Sequence, residues 1–243
     1  MINPAIELRD VRHTGAEGVD PVALSLTLSR GTCAVLLGPS RCGSATVLRL
    51  CAGLLIPDHG TVRVLGRDPA DADEHTRPET RLEIGTVLQP PGLLSNMTVF
   101  NNVALPLRYH RAPDEREVER VVMGLLDSLE LGTLRDRFPA TLRFGEAKLV
   151  ALARALIMEP ELVLIEEPDA GLDAESMARC RRVIGTIRER QPLAVLATLS
   201  HPSPWLTVAD RIVYMRNGRV VAEGPHAALL QSADPDARVY LGA

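Results

Sequence analysis

The sequence predicts an α/β fold with a mostly parallel sheet and an antiparallel β flank, and three observations carry that prediction. Short, almost wholly apolar runs at Cys33 to Leu37, Leu162 to Ile165 and Leu193 to Leu199 read as strands buried on both faces. Stretches of helical period separate them, the alternation that builds parallel sheets. Immediately after the first run comes Gly38-Pro39-Ser40-Arg41-Cys42-Gly43, a glycine-bounded loop that opens a helix over Ala45 to Leu55. Strand, glycine loop and helix form a setting in which backbone N–H groups and a helix N-terminus cradle phosphates.

Composition narrows the possibilities further. The 243 residues are 46% hydrophobic, enough for a sizeable core in one large domain over 1–243. A net charge of −4 gives no basic footprint for nucleic acid. Cys33, Cys42, Cys51 and Cys180 lack metal-ligand spacing and read as reduced core residues, in keeping with a cytosolic compartment. Met1 is not followed by a basic stretch and a long apolar segment, and no run reaches the ~18 apolar residues of a membrane span. The expectation is a soluble, cytoplasmic protein without direct membrane insertion.

Along the chain, residues 5 to 11 and 22 to 29 alternate apolar and polar positions like half-buried strands and supply the antiparallel flank. Gly60 to Leu65 and Ile84 to Leu88 read as short strands, separated by an acidic, proline-containing loop from Asp68 to Pro78. Residues 90 to 112 mix turn formers with apolar positions and read as connecting structure. Asp114 as N-cap, Glu117 three residues on, and Val118, Val121, Val122, Leu125, Leu126 and Leu129 at helical spacing predict an amphipathic helix of about five turns. Gly132 is its expected stop. A second helix is predicted from Glu146 to Met158, ended by Glu159-Pro160, and a third from Ala174 to Arg190. Finally, Arg211 to Met215 and Arg219 to Glu223 flank Asn217-Gly218, a two-residue hairpin signal.

The strand at Leu162 delivers Glu166 and Glu167 at its C-terminal end, and the strand at Leu193 delivers Ser200 and His201. Open α/β sheets bind ligands at that edge. Two acids beside a phosphate loop are the parts a nucleotide hydrolase needs, one to hold Mg²⁺ and one to orient or deprotonate the attacking water.

On these motifs the chain resembles the nucleotide-binding subunit of ABC transporters, from about Ile6 to Gly224. Gly38 to Thr46 stands at the Walker A position, where that family usually has Gly-Pro-Ser-Gly-Ser-Gly-Lys-Ser-Thr. Gln89 fits the Q-loop, and Leu142-Arg143-Phe144-Gly145-Glu146 stands where the Leu-Ser-Gly-Gly-Gln signature belongs. Leu162 to Glu167 with Pro168 matches Walker B, Ala170-Gly171-Leu172-Asp173 the D-loop, and Ser200-His201 the switch histidine. Within the family, Met97 to Arg108 and Ala233 to Val239 look like the ATPases of Mla and Mce lipid transport systems.

The resemblance implies an ABC ATPase fold, a P-loop core carrying a helical subdomain at about 89–156. It implies ATP and Mg²⁺ as ligands. The partners it implies are an integral-membrane permease, received by Gln89 to Leu107 at the inner face of the cell membrane, a second ATPase in a homodimer or heterodimer, and a small regulatory subunit. By position, Gly38, Pro39, Ser40, Arg41, Cys42, Gly43, Ser44, Ala45 and Thr46 would hold nucleotide, and Gln89 and Glu166 the metal. Glu167 would be the base, His201 the γ-phosphate sensor and Asp173 the D-loop acid. Leu142, Arg143, Phe144, Gly145 and Glu146 would face a partner's phosphate.

Several positions depart from the family pattern. Ser44 stands for the phosphate lysine, Ala45 for the Mg²⁺-binding hydroxyl, and Glu166 lengthens an aspartate by one methylene. Arg143 and Phe144 replace a serine and a glycine, and Glu146 adds negative charge. Each lost preorganised contact costs roughly 3 kcal/mol, about a hundredfold or more in rate. The expectation is therefore a lipid-transport subunit with weak or absent hydrolysis. Two alternatives stay open: an active ATPase in which Arg41 supplies the missing cation, and a structural subunit that never holds nucleotide.

Overall fold

The computed structural model describes residues 3–70, 82–111 and 113–242. Its centre is a six-stranded sheet in the order β5-β6-β7-β3-β8-β9, built from β3 (Cys33–Leu37), β5 (Ile84–Val87), β6 (Leu162–Glu166), β7 (Ala194–Leu199), β8 (Arg211–Arg216) and β9 (Arg219–Gly224). Every pairing in it is parallel except the β8–β9 hairpin. Asn217 and Gly218 both hold positive φ in that hairpin's turn, as a two-residue turn of this kind requires. A separate three-stranded antiparallel sheet sets β1 (Ile6–His13) between β2 (Val22–Leu28) and β4 (His59–Val64). Both the mostly parallel core and the antiparallel flank agree with the sequence reading.

Strand alternation divides the core in two. Ala34, Leu36, Leu164 and Leu196 point to one face, where they pack with the flank sheet and with α1 (Ser44–Cys51). Cys33, Val35, Leu37, Ile165 and Val195 point to the other. That face is covered by α2 (Val99–His110), α3 (Glu115–Ser128), α4 (Phe144–Leu156) and α5 (Ala174–Arg190). The chain closes with α6 (His226–Leu229) and α7 (Pro235–Leu241). All four cysteines are free and buried.

Two readings of the elements need correction. Residues 99 to 110, expected as connecting structure, form α2 with Pro106 inside it. A proline normally ends a helix. Here Val99, Val103, Ala104 and Leu107 are buried along one side, and the buried Asn102 bonds Leu94, Met97 and Thr98, which fixes the entry to the helix. The helix after Asp114 spans 14 residues, about four turns rather than five, and passes into a short 3-10 turn at Gly132–Leu134. Most of the acidic loop from Asp68 to Pro78 lies outside the described residues.

Candidate functional site

The parallel register brings the C-terminal ends of β3, β5, β6 and β7 to one edge. Leu37 stands opposite Leu199, Glu166 opposite Thr198, and Val87 opposite Ile165. A cleft of about 430 Å³ opens there, lined by the glycine loop, Gln89, Glu166, Glu167, Ser200 and His201.

The loop is held from several sides. Cys42 N–H donates to Pro39 O (2.9 Å), Gly38 N–H to Leu199 O (3.1 Å), and Gly218 N–H in the hairpin turn to Cys42 O (2.9 Å). A Cβ on Gly38 would lie 2.2 Å from Met215 O, so the close approach of β8 requires glycine. Gly43 caps α1 at φ 95° and has no side chain to offer the first turn, which also lacks acids. The N–H groups of that turn have no partner within the helix, an arrangement suited to an anion.

Side-chain chemistry in the loop is sparse. Ser44 and Ala45 line the cleft, whereas Cys42 is buried and the Thr46 hydroxyl donates to Asp20 O (2.9 Å). Arg41, the candidate replacement cation, is 86% exposed and its Nε pairs with Asp20 at 3.1 Å. It also holds a left-handed φ of 67°, where a glycine would be relaxed.

Glu166 is buried and held at both oxygens. Oε2 accepts from the Gln89 backbone N–H (3.1 Å), and Oε1 lies 3.5 Å from Arg49 Nη2. Gln89 thus reaches Glu166 through its backbone, leaving its side chain free of that contact. Glu167 has a left-handed φ of 47° and donates its N–H to Thr198 O (3.1 Å). Burial pushes its carboxyl above the usual range, opposed by the Ser200 N–H and hydroxyl; Asp169 pushes the same way as burial and His201 against it. Behind both acids, the buried Lys148 donates to Glu166 O (3.1 Å) and to Glu167 O. Its own pKa is lowered, chiefly by desolvation.

Several candidate residues also have partners within the chain. His201 is 60% exposed and pairs through Nε2 with Asp169 Oδ2 (3.3 Å), while Ser200, one residue earlier, is the group that meets Glu167. The carboxylate of Glu146 accepts the Arg143 N–H (2.8 Å) at the start of α4, so its charge serves that helix end. Asp173 caps α5 by accepting the Ser176 N–H (2.7 Å). Leu142 to Glu146 do not line the cleft; Arg143 and Phe144 are exposed, and Phe144 packs on Gly171. Sequence reasoning missed Asp169, whose Oδ1 is buried without a hydrogen-bond partner, and Asp20, which lines the cleft opposite Arg41. The position of Asp169 two residues past Glu167 was the only available signal.

The cradle fits a polyphosphate. For a metal, Glu166 with Gln89 beside it fits the one or two carboxylates that Mg²⁺ takes alongside phosphate oxygens and water, while Ala45 offers no oxygen. Among the described residues no cluster of three acidic, His or Cys side chains could hold an ion alone.

A phosphate cradle facing two strand-end carboxylates across a parallel sheet edge defines an α/β nucleotide-binding protein. The chain belongs to the ABC transporter family, whose model matches residues 22–170. It is 38% identical over 244 residues to the sulfate/thiosulfate import ATP-binding protein CysA of Bordetella bronchiseptica, a match covering 98% of this chain and 67% of that one. With the corresponding Cucumis sativus protein it shares 38% over 223 residues, covering 90% and 62%. The chain thus spans about two thirds of the length of these relatives. Among solved structures, a dimeric ATP-binding cassette in a post-hydrolysis state with ADP and Pi superposes with a TM-score of 0.83 at 25% identity, covering 90% of this chain and 98% of that one. CbiO1 of Clostridium perfringens, at 21% identity and a TM-score of 0.77 over 98% of both chains, shares the fold.

These relatives correct the expected likeness to lipid-transport ATPases. The segments behind it form α2 and α7, in which Val99, Phe100, Val103, Leu107 and Ala237 are buried. Their apolar pattern answers to packing and carries no cargo information.

Proposed function

We propose that the chain is the ATP-using subunit of a membrane importer whose cargo is a small oxyanion of the sulfate and thiosulfate class. The meeting of the glycine loop with Glu166 and Glu167 at one sheet edge carries this reading. The cargo class rests on the sulfate/thiosulfate import relatives. Loop N–H groups would hold the phosphates. Glu166 and Gln89 would hold Mg²⁺, which supplies charge neutralisation at the phosphates when bound. Glu167 would accept the proton of the attacking water, a role suited by a carboxyl raised above its usual range. Among the described residues no helix is long and apolar enough to cross a membrane. Docking on a membrane permease is part of this reading on the strength of the import relatives. Dimeric cassettes among the structural relatives support pairing with a second such subunit.

A second reading, slow or absent turnover with nucleotide merely held, is favoured by one observation: Ser44 and Ala45 offer no cation or carboxylate, and Arg41 is engaged by Asp20. Steady-state phosphate release by the purified protein with Mg-ATP, alone and with its permease, separates the two. Release that disappears in Glu167→Gln supports the enzyme; ATP binding without release supports the second reading; absence of binding refutes both. Sulfate uptake by cells with and without the gene tests the cargo.

A further inference from the structure

Past the edge of the sheet, β6 and β7 run on in step. Glu166 stands opposite Thr198, and three residues beyond them in the sequence lie Asp169 and His201. The two side chains meet there, with His201 Nε2 3.3 Å from Asp169 Oδ2. His201 Nδ1 lies 3.4 Å from the Ser200 hydroxyl, so both ring nitrogens have a neighbour. The acid is the costly member of the pair. Its side chain is 3% exposed, its Oδ1 has no hydrogen-bond partner, and among the described residues His201 is the one group its carboxylate meets. Lys148, buried behind the same strand end, spends its ammonium on the Glu166 and Glu167 carbonyls. Packing alone would favour an apolar side chain where Asp169 stands.

Two side chains lining the cleft can carry positive charge toward a phosphate, Arg41 and His201. Each is held by an acid of the same chain, Arg41 by Asp20 and His201 by Asp169. The two pairs differ in what release costs. Arg41 is exposed and can swing into water, whereas Asp169 stays buried and would keep an uncompensated charge once His201 leaves it. We propose that Asp169 sets the cleft's preference between nucleoside triphosphates and diphosphates, its carboxylate taking the place of a terminal phosphate at His201 Nε2. The loop N–H groups serve the inner phosphates, and only the outermost phosphoryl group reaches the strand ends where His201 stands. A triphosphate must therefore exchange one anion for another at Nε2 and strand the buried acid, a cost that a diphosphate avoids. Asp169 is thus a positioning residue that acts through His201. The inference rests on the nucleotide reading of the cleft and adds to it a built-in penalty against triphosphate.

The test compares, by isothermal titration of the full chain at constant Mg²⁺, the binding of ADP and of the non-hydrolysable triphosphate adenylyl imidodiphosphate. Asp169→Leu, which fills the buried position without an acceptor, is expected to tighten triphosphate binding roughly tenfold and to leave ADP within about twofold. In a His201→Ala background the same substitution is expected to leave the ratio of the two affinities unchanged. Asp169→Asn enters the same comparisons if the leucine variant fails to fold. An unchanged ratio in folded Asp169 variants overturns the proposal, as does equal weakening of both nucleotides, the mark of a merely structural role. A gain that persists without His201 overturns it too, since repulsion between acid and phosphate would then suffice. One measurement needs no Asp169 variant. In ¹⁵N-histidine-labelled wild type, with the resonance assigned through His201→Ala, the triphosphate is expected to move His201 Nε2 and ADP to leave it in place. Equal shifts with both nucleotides overturn the proposal. Nucleotide bound with an unchanged ratio leaves the nucleotide reading standing, whereas no binding of either nucleotide refutes that reading and this inference with it.

Discussion

Replacing Ser44 with lysine puts a cation into a cleft whose own side chains include Glu166, Glu167 and Asp20. The residue opens α1 and carries one of the first-turn N–H groups that would hold phosphate. A unit charge about 4 Å from a phosphate oxygen gains ~4 kcal/mol at an effective dielectric of about 20. Ordering the lysine side chain costs about 2 kcal/mol of that. The remaining ~2 kcal/mol predicts ATP binding roughly thirtyfold tighter in Ser44→Lys. The gain should shrink as salt is raised, because a charge at an open cleft is screened. Isothermal titration with ATP is the assay, with Ser44→Gln as a control of similar length and no charge. Equal affinity in the lysine and glutamine variants would refute the placement of phosphate at this loop.

The remaining predictions concern stability and the acids. Glu167 has a folded pKa raised from 4.5, chiefly by burial, so the native state binds its proton more tightly than the unfolded chain does; that contribution is present at low pH and lost as pH rises past 4.5 through the raised value. Glu167→Gln should therefore melt higher than wild type at neutral pH, with the difference vanishing near about pH 4, and an equal shift at both would contradict the burial argument. Lys148→Met leaves the Glu166 and Glu167 carbonyls without their donor and should cost ~2–3 kcal/mol in urea unfolding; no loss would mean that desolvating the ammonium cancels its bonds. Asp173→Ala removes the cap of α5 and should lower stability by about 1 kcal/mol, roughly 2–4 °C in Tm, whereas a change in ATP affinity with no change in Tm would give Asp173 a site role instead.

The sheet was legible because its buried strands advertise themselves: β3 is an unbroken apolar run, β6 is broken only by its terminal Glu166 and β7 only by Thr198, and the Asn217-Gly218 turn carries its own conformational requirement. Helix α2 was not, since Pro106 and scattered polar residues mask a face that only tertiary packing reveals. At the site, strand order placed the glycine loop, Gln89, Glu166 and Glu167 together correctly in outline. Pairings beyond that outline depend on side-chain direction. Nothing in the spacing distinguishes Ser200 from His201 as the neighbour of Glu167, or reveals that Arg41 turns to Asp20 and Glu146 to its own helix. The cargo was illegible for a related reason, because the apolar residues of the segments that suggested it include Val99, Val103, Leu107 and Ala237, which are buried in packing.

The bond from Gly218 N–H to Cys42 O joins positions 176 residues apart, and β3 lies between two strands that come at least 150 residues later. The loop after β3 is thus finished by a turn encoded far downstream of it. During synthesis the anion cradle stays incomplete until the hairpin has left the ribosome, so the nascent chain cannot close this site around nucleotide early. A ligand bound in the cradle would then stabilise only molecules in which the β8–β9 hairpin has docked.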